Sequence, residues 1–380
     1  MEDAQLTIKK VSGKKELKKF ILFPFKLYKN NKYWVPPLIS DEIKTLTAAN
    51  PAHDFCDVAL WLAYRNDEIV GRIAGIINNR ANETWDKKDV RFGWFDFIDD
   101  IEVSRLLIET VIDWAKSKEM TSICGPLGFT DMDYEGILIN GFDQISTMST
   151  IYNYPYYSQH LETQGFEKAA DWIEYKIFIP ESIPDKHKRV TQIVRDKFGL
   201  NIKKYTDSKK LVADYGQAIF DLVNEAYAPL YGYVPLNQKQ IDYYIKSYLP
   251  MINLKMVTLI TDDAGNLLGV GISMPSLAKA LQKSKGRMLP FGWYHLLKAL
   301  RCKNNKVLDL LIVAIKPEYQ NKGVNALLFY DLIPVYQQLG FEYAESNPEL
   351  EMNEKVQSQW EYFETQQHKR RRAFVKNIQT

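Results

Sequence analysis

The 380-residue sequence is 46% apolar and 25% charged, with a formal net charge of +2, which fits a folded globular chain of two or three domains. A balance so near neutral supplies no overall field for nucleic acid or an anionic membrane, so no nucleic-acid partner is expected. Three cysteines (Cys56, Cys124, Cys302) and five histidines are scattered without metal-ligand spacing, and no apolar run reaches bilayer length; the expectation is free thiols, no metal, no membrane span and a cytoplasmic location.

Along the chain, residues 59–77, ALWLAYRNDEIVGRIAGII, form two β-rich runs around the polar turn Asn66-Asp67 and predict a hairpin. IEVSRLLIETVIDWAKSK follows, with Val103, Leu106, Leu107, Val111 and Trp114 at one-face helical spacing, and then the strand-like TSICG. The same order returns after residue 200. Residues 256–274, MVTLITDDAGNLLGVGISM, predict a second hairpin around Asp262, Asp263 and Gly265. A helix with Val324, Leu327, Leu328, Leu332, Val335 and Leu339 on one face ends at Gly340, and FEYAE follows as a strand.

The second copy carries roughly 25 extra residues between hairpin and helix. They match PSLAKALQKSKGRMLPFGWYHLLKALRCKNN, a basic, amphipathic stretch interrupted by Pro290 and Gly292. Packing or a lid is the expectation for it ahead of membrane binding. Pro180 and Pro184 precede a charged helical segment, which places a linker helix at 181–200 between domains at 1–180 and 201–380. The fold class expected is α/β.

LIVAIKPEYQNKGVNALLFYDLI passes from a β-branched run through a polar turn into an amphipathic helix. A helix start exposes unpaired N–H groups and the positive dipole end, and a turn glycine lets backbone close around an anion. Gln320, Asn321, Lys322, Gly323, Val324 and Asn325 supply such a turn, with no carboxylate between Glu318 and Asp331. The corresponding turn of the first half, FDFIDDIEV, places Asp96, Asp99, Asp100 and Glu102 around its helix start. Those carboxylates suit the dipole and repel a phosphate, so only the C-terminal domain is expected to bind a diphosphate.

VAIKPEYQNKGVNALL resembles the acyl-CoA signature of the GNAT acetyltransferase superfamily, Gln320 and Gly323 matching and Asn325 standing where Gly or Ala is usual. SNPELEMNEKVQSQWEYF resembles that superfamily's later strand and helix, and HKRRRAFVKNI its closing strand. The whole chain, with KYWVPPL and GRMLPFGW, is similar to bacterial tandem-GNAT proteins. The resemblance implies two tandem GNAT-like domains, each a mixed, mostly antiparallel central sheet flanked by helices.

It implies acetyl-CoA or another acyl-CoA as co-substrate, a small-molecule or peptide amine as acceptor, and direct attack of the amine on the thioester. Ile315 matches the splayed strand whose backbone serves the acyl and pantetheine groups, and Asn353 the asparagine that contacts the pantetheine arm. Trp360 occupies the place of the tyrosine that often acts as final acid, and Tyr362 lies about 200° further round a helix. The catalytic acid is therefore unassigned. Glu345, Glu349 and Glu351 are possible bases, with solvated surface the plainer reading of each. A non-catalytic CoA- or metabolite-binding relative and an aminoacyl-tRNA-dependent transferase remain as alternative readings. HDFCD at 53–57 is a chance match to another acyltransferase pattern, and HKRRR at 368–372 reads as a charged edge strand.

Overall fold

The computed structural model describes residues 5–302 and 305–378. In chain order the main elements begin with β1 (Leu6–Lys10), α1 (Gly13–Leu27), α2 (Ile39–Thr45), β2 (Cys56–Arg65), β3 (Glu68–Asn78), α3 (Asn79–Thr84), β4 (Asp89–Phe97), α4 (Ile101–Lys116) and β5 (Ser122–Gly125). Next come β6 (Ile137–Asn140), α5 (Tyr156–Thr163), β7 (Glu167–Phe178), α6 (Asp185–Phe198), β8 (Asn201–Lys203), α7 (Ser208–Tyr227), α8 (Gln238–Tyr248), β9 (Val257–Thr261) and β10 (Leu267–Pro275). The remainder are α9 (Ala278–Ser284), α10 (Gly292–Leu300), β11 (Val307–Ile315), α11 (Asn325–Leu339), β12 (Tyr343–Glu345), β13 (Glu349–Leu350), α12 (Glu354–Gln357) and β14 (Thr365–Asn377).

These elements form two compact units. Unit 1 takes the chain up to Trp172, Leu281–Trp293 and the end of the chain from Lys369; unit 2 takes Ile173–Ala280 and Tyr294–His368. The chain changes unit inside β7, on either side of Leu281–Trp293, and inside β14, so neither unit is a contiguous half of the sequence.

In unit 1 the strands run in the order β1-β2-β3-β4-β5-β14-β7. The first hairpin is β2 and β3, antiparallel from Cys56↔Asn78 to Arg65↔Glu68, and Asn66 in its turn takes the left-handed φ of 55°, as a two-residue hairpin loop requires. β4 pairs in parallel with β5, the register a crossover helix imposes. That helix, α4, buries Val103, Leu107, Ile108 and Val111 against Ile73, Phe92 and Phe97.

β14 is not the charged edge strand expected from HKRRR. It lies between β5 and β7, and Lys369 and Arg371 are buried. Arg370 and Arg372 both bind the fully enclosed carboxylate of Asp171, at 2.9 and 2.7 Å, while Arg371 donates to the Ile151 carbonyl at 2.5 Å. The charges are tolerated inside because acceptors are built around them.

In unit 2 the order is β12-β11-β10-β9-β8, with the Ile173–Phe178 part of β7 antiparallel to β12. The second hairpin, β9 and β10, closes through Gly265 at φ 88°. α11 stops at Gly340 in the left-handed conformation, as expected for a C-terminal glycine. α6 falls on the segment read as a linker, yet it is amphipathic, and its Val194 packs with Leu327 and Leu328 of α11.

Candidate functional site

β11 and β12 pair in parallel at only three positions, Val307↔Tyr343, Leu308↔Ala344 and Asp309↔Glu345. β12 then ends while β11 continues to Ile315 with β10 alone beside it. The backbone N–H of Lys316 donates to Leu268 on the β10 side at 2.9 Å. Alternation along an antiparallel strand therefore turns the N–H and C=O groups of Val313 and Ile315 to the opposite, open edge.

Side chains satisfy the carbonyls of that edge. Leu311 O accepts from Asn347 Nδ2 at 2.8 Å, Val313 O from the Tyr227 hydroxyl at 3.2 Å and Ile315 O from Gln320 Nε2 at 3.0 Å. What the edge still offers is N–H donors. Such an edge receives a ligand carbonyl and discourages another β-strand.

Past Ile315 the chain turns through Gln320–Val324 into α11. Asn321 and Gly323 take left-handed φ values of 59° and 78°. Ala326 and Leu327 donate back to Gly323 and Val324, whereas among the described residues no backbone acceptor takes the N–H groups of Asn321, Lys322, Gly323, Val324 or Asn325. The helix start carries no side-chain cap. Five free donors at the positive end of a 15-residue helix are the chemistry of an anion site. Lys322 is exposed, its ammonium 5.5 Å from the rings of Phe198 and Tyr319.

Gly323 also has a packing role. A Cβ there would lie 2.7 Å from Val190 Cγ1 on α6, so helix α6 closes one side of the turn. The side-chain amide of Gln320 braces the end of β11. Ile315 and Gln320–Asn325 thus come together on one strand–turn–helix. Asn353 stands at the start of α12 with no capping hydrogen bond from its side chain.

Two of the three carboxylates weighed as bases are not solvated surface. Glu345 is buried, its Oε2 2.8 Å from His368 Nε2. Glu349 is half-buried, and Trp360 Nε1 donates to both its oxygens at 3.0 and 3.2 Å. Burial pushes the Glu349 carboxyl up to about 8, the Trp360 hydrogen bond acting in the opposite direction. Tyr227, whose hydroxyl burial lifts to about 12, is an electrostatic neighbour of Glu349. Trp360 is buried, while Tyr362 is exposed with its ring 3.7 Å from Lys186 Nζ. No motif flagged Tyr227, which reaches β11 across 86 residues of sequence, and Asn347, though inside SNPELEMNEKVQSQWEYF, was not singled out.

Beside the open edge lies a small cavity of about 40 Å³, walled by Leu310, Val313, Phe329, Leu332, Trp360 and Phe363 and partly open to solvent. Its surface is almost wholly hydrocarbon and aromatic.

The equivalent helix start in unit 1 is closed. Asp100 caps α4 by accepting from the Glu102 N–H at 2.9 Å and pairs with Arg65 at 2.7 Å. Asp96 is buried in an ion pair with Arg72 at 2.7 Å and accepts from the Tyr28 hydroxyl at 3.0 Å. Among the described residues, no His, Cys, Asp and Glu group could hold a metal, and no helix is long and apolar enough to cross a membrane.

No family model matches the chain. Among curated proteins it is similar to the bacterial ceramide synthase of Caulobacter vibrioides, 28% identical over 331 residues (86% of this chain, 84% of the relative). It is also similar to the protein YghO of Escherichia coli, 25% identical over 371 residues (96% and 94%). Among solved structures, a tandem GNAT protein from the clavulanic acid biosynthesis pathway superposes with a TM-score of 0.58 at 11% identity, over 99% of both chains. A probable N-acyltransferase from Enterococcus faecalis superposes with a TM-score of 0.52 at 10% identity, over 98% of this chain and 73% of the other. Coverage of both units by a doubled neighbour, with a strand edge left open and an uncapped helix start, makes this a tandem GNAT fold.

Proposed function

We propose that the chain is an acyl-CoA-dependent N-acyltransferase that uses unit 2. The observation that carries this reading is the uncapped turn Asn321–Asn325, with its free N–H groups beside a strand edge that offers donors only. The turn and Lys322 would hold the diphosphate. The N–H groups of Val313 and Ile315 would orient the pantetheine arm and the thioester carbonyl, stabilising negative charge as it forms on oxygen. Asn353 would meet the pantetheine from α12. Unit 1, with Asp100 capping its helix start, would hold no second coenzyme.

Glu349 would take the proton of the acceptor ammonium. A carboxyl lifted to about 8 is a far stronger base than an ordinary one and lies nearer the amine it must deprotonate. The freed amine attacks the thioester carbon and the C–N bond forms; as the C–S bond breaks the nitrogen sheds its second proton and the sulfur leaves as thiolate, so that of the two protons lost from nitrogen one is balanced by protonation of sulfur and the other passes to solvent. The Tyr227 hydroxyl sits on the β11 edge at the Val313 carbonyl and interacts electrostatically with Glu349, so we assign it the final proton transfer in place of Trp360, which has no acidic proton to give.

Acetyl transfer is the simplest case. The cavity next to Val313 is lined by hydrocarbon and aromatic side chains, which is compatible with acyl carbons beyond acetyl, and the similar Caulobacter protein is named for ceramide, itself an amide bearing a fatty acyl chain. The test is release of free thiol from acetyl-, octanoyl- and palmitoyl-CoA across a panel of amines including long-chain amino alcohols. Amine-dependent thiol release supports the reading. Tight CoA binding with no turnover on any pair would instead identify a non-catalytic relative.

A further inference from the structure

Residues Leu281–Trp293 end in a tip where, among the described residues, Leu289 and Phe291 are left largely exposed. Their base is fixed within unit 1: Gln282 Nε2 donates to the carbonyls of Lys32 and Trp34 at 2.9 Å each, and Ile39 donates to the Gly286 carbonyl at 2.9 Å. Gly286, at φ 67°, lies so close to Phe25 that a Cβ would sit 2.9 Å from that ring. Beyond this anchor the chain closes a tight loop. The Trp293 N–H donates to the Met288 carbonyl at 2.8 Å, and Gly292 lies against the Arg287 carbonyl with no room for a Cβ.

The closed loop directs its side chains outward. Leu289 and Phe291 are 76% and 70% exposed, with Met288 and Trp293 at 42% and 47%. Single exposed hydrophobics are ordinary, but four large ones within six consecutive positions form a patch. Of the segment expected from sequence to pack or act as a lid, Leu281 and Leu296 are buried while these four residues are exposed.

Charge identifies what covers the tip. Lys283, Lys285 and Arg287 are exposed on its approach, and none has an ion-pair partner among the described residues. Between Asp263 and Asp309 the sequence contains no Asp or Glu, whereas Lys279, Lys283, Lys285, Arg287, Lys298 and Arg301 all fall there. The near-neutral total of +2 therefore conceals a local excess, which acts on surfaces within a Debye length. Two such basic collars would repel one another, which disfavours a second copy of the chain as occupant.

We propose that this tip docks on the surface of an anionic lipid bilayer. Leu289 and Phe291 enter the boundary between headgroups and acyl chains, Trp293 sits at the headgroup level, and Lys283, Lys285 and Arg287 face lipid phosphates. The protein lies on the membrane without spanning it. This docking goes beyond the acyl-transfer reading and does not depend on it.

Sedimentation of the full chain with vesicles, in the absence of any acyl-CoA, is the test. The wild type is expected to pellet with vesicles of phosphatidylcholine and phosphatidylglycerol, more weakly with phosphatidylcholine alone, and less as salt is raised. Leu289→Ser with Phe291→Ser should weaken binding to the mixed vesicles by about tenfold or more with an unchanged melting temperature, since both side chains are exposed. Lys283→Glu with Lys285→Glu should abolish the preference for phosphatidylglycerol. Wild-type protein that stays in the supernatant, or a serine variant that binds as well as wild type, would overturn the proposal. So would a dimer in light scattering that the serine variant dissociates while vesicle binding is absent.

Discussion

Gly323→Ala offers a quantitative probe of the turn. At φ 78° an L-residue costs about 1–2 kcal/mol. The new methyl would stand 2.7 Å from Val190 Cγ1, well inside the roughly 3.5–4.0 Å at which carbons normally meet. Overpacking of this kind costs about 1–3 kcal/mol, giving a total of about 2–5 kcal/mol. Val190→Ala removes the opposing methyls from a half-buried site and alone costs about 1 kcal/mol. In the double variant the collision is gone while the backbone cost remains. The two changes should therefore couple favourably by about 1–3 kcal/mol, measured by urea denaturation of the wild type, both single variants and the double. Additivity within about 0.5 kcal/mol would refute the contact between α6 and the turn.

Glu349→Gln should reduce turnover by about 10²–10⁴-fold and flatten a wild-type rate profile that rises with pH through about 8. The same carboxyl has a folded-state value above its unfolded one, so the stability it contributes is full at low pH and lost as pH rises through about 8; the glutamine variant should lack that loss in denaturation at several pH values. Asp171→Ala would strand the guanidiniums of Arg370 and Arg372 and should cost about 3–5 kcal/mol, measured by chemical denaturation. Burial alone would raise the Asp171 carboxyl, but the hydrogen bonds from Arg372 and Arg370 hold it below the ordinary value. Its contribution to stability should persist at mildly acidic pH and disappear only as pH falls through that lowered value.

The doubled architecture was legible because hairpins and crossover helices write their periodicity locally: Asn66-Asp67 marks one turn, Gly265 the other, and Gly340 a helix end. The strand–turn–helix that carries Ile315 and Gly323 was legible for the same reason. Long-range chemistry was not. Nothing near Tyr227 or Asn347 in sequence signals that their side chains close the carbonyl edge of β11, because that edge exists only once β12 stops short. HKRRR misled because charge suggests exposure, whereas Asp171 and the Ile151 carbonyl wait for it inside. Which residues of the basic segment around Phe291 would be exposed was not legible either, since an amphipathic pattern does not reveal which of its residues find a neighbour.

Titration calorimetry of CoA into the wild type and Lys322→Glu tests the coenzyme site most directly. Lys322 is exposed, so the variant should fold normally. The expected result is saturable binding of one CoA per chain, weakened about tenfold or more by the charge reversal and by added salt. Unchanged affinity in the variant, or no binding to the wild type, would contradict a diphosphate held at the start of α11.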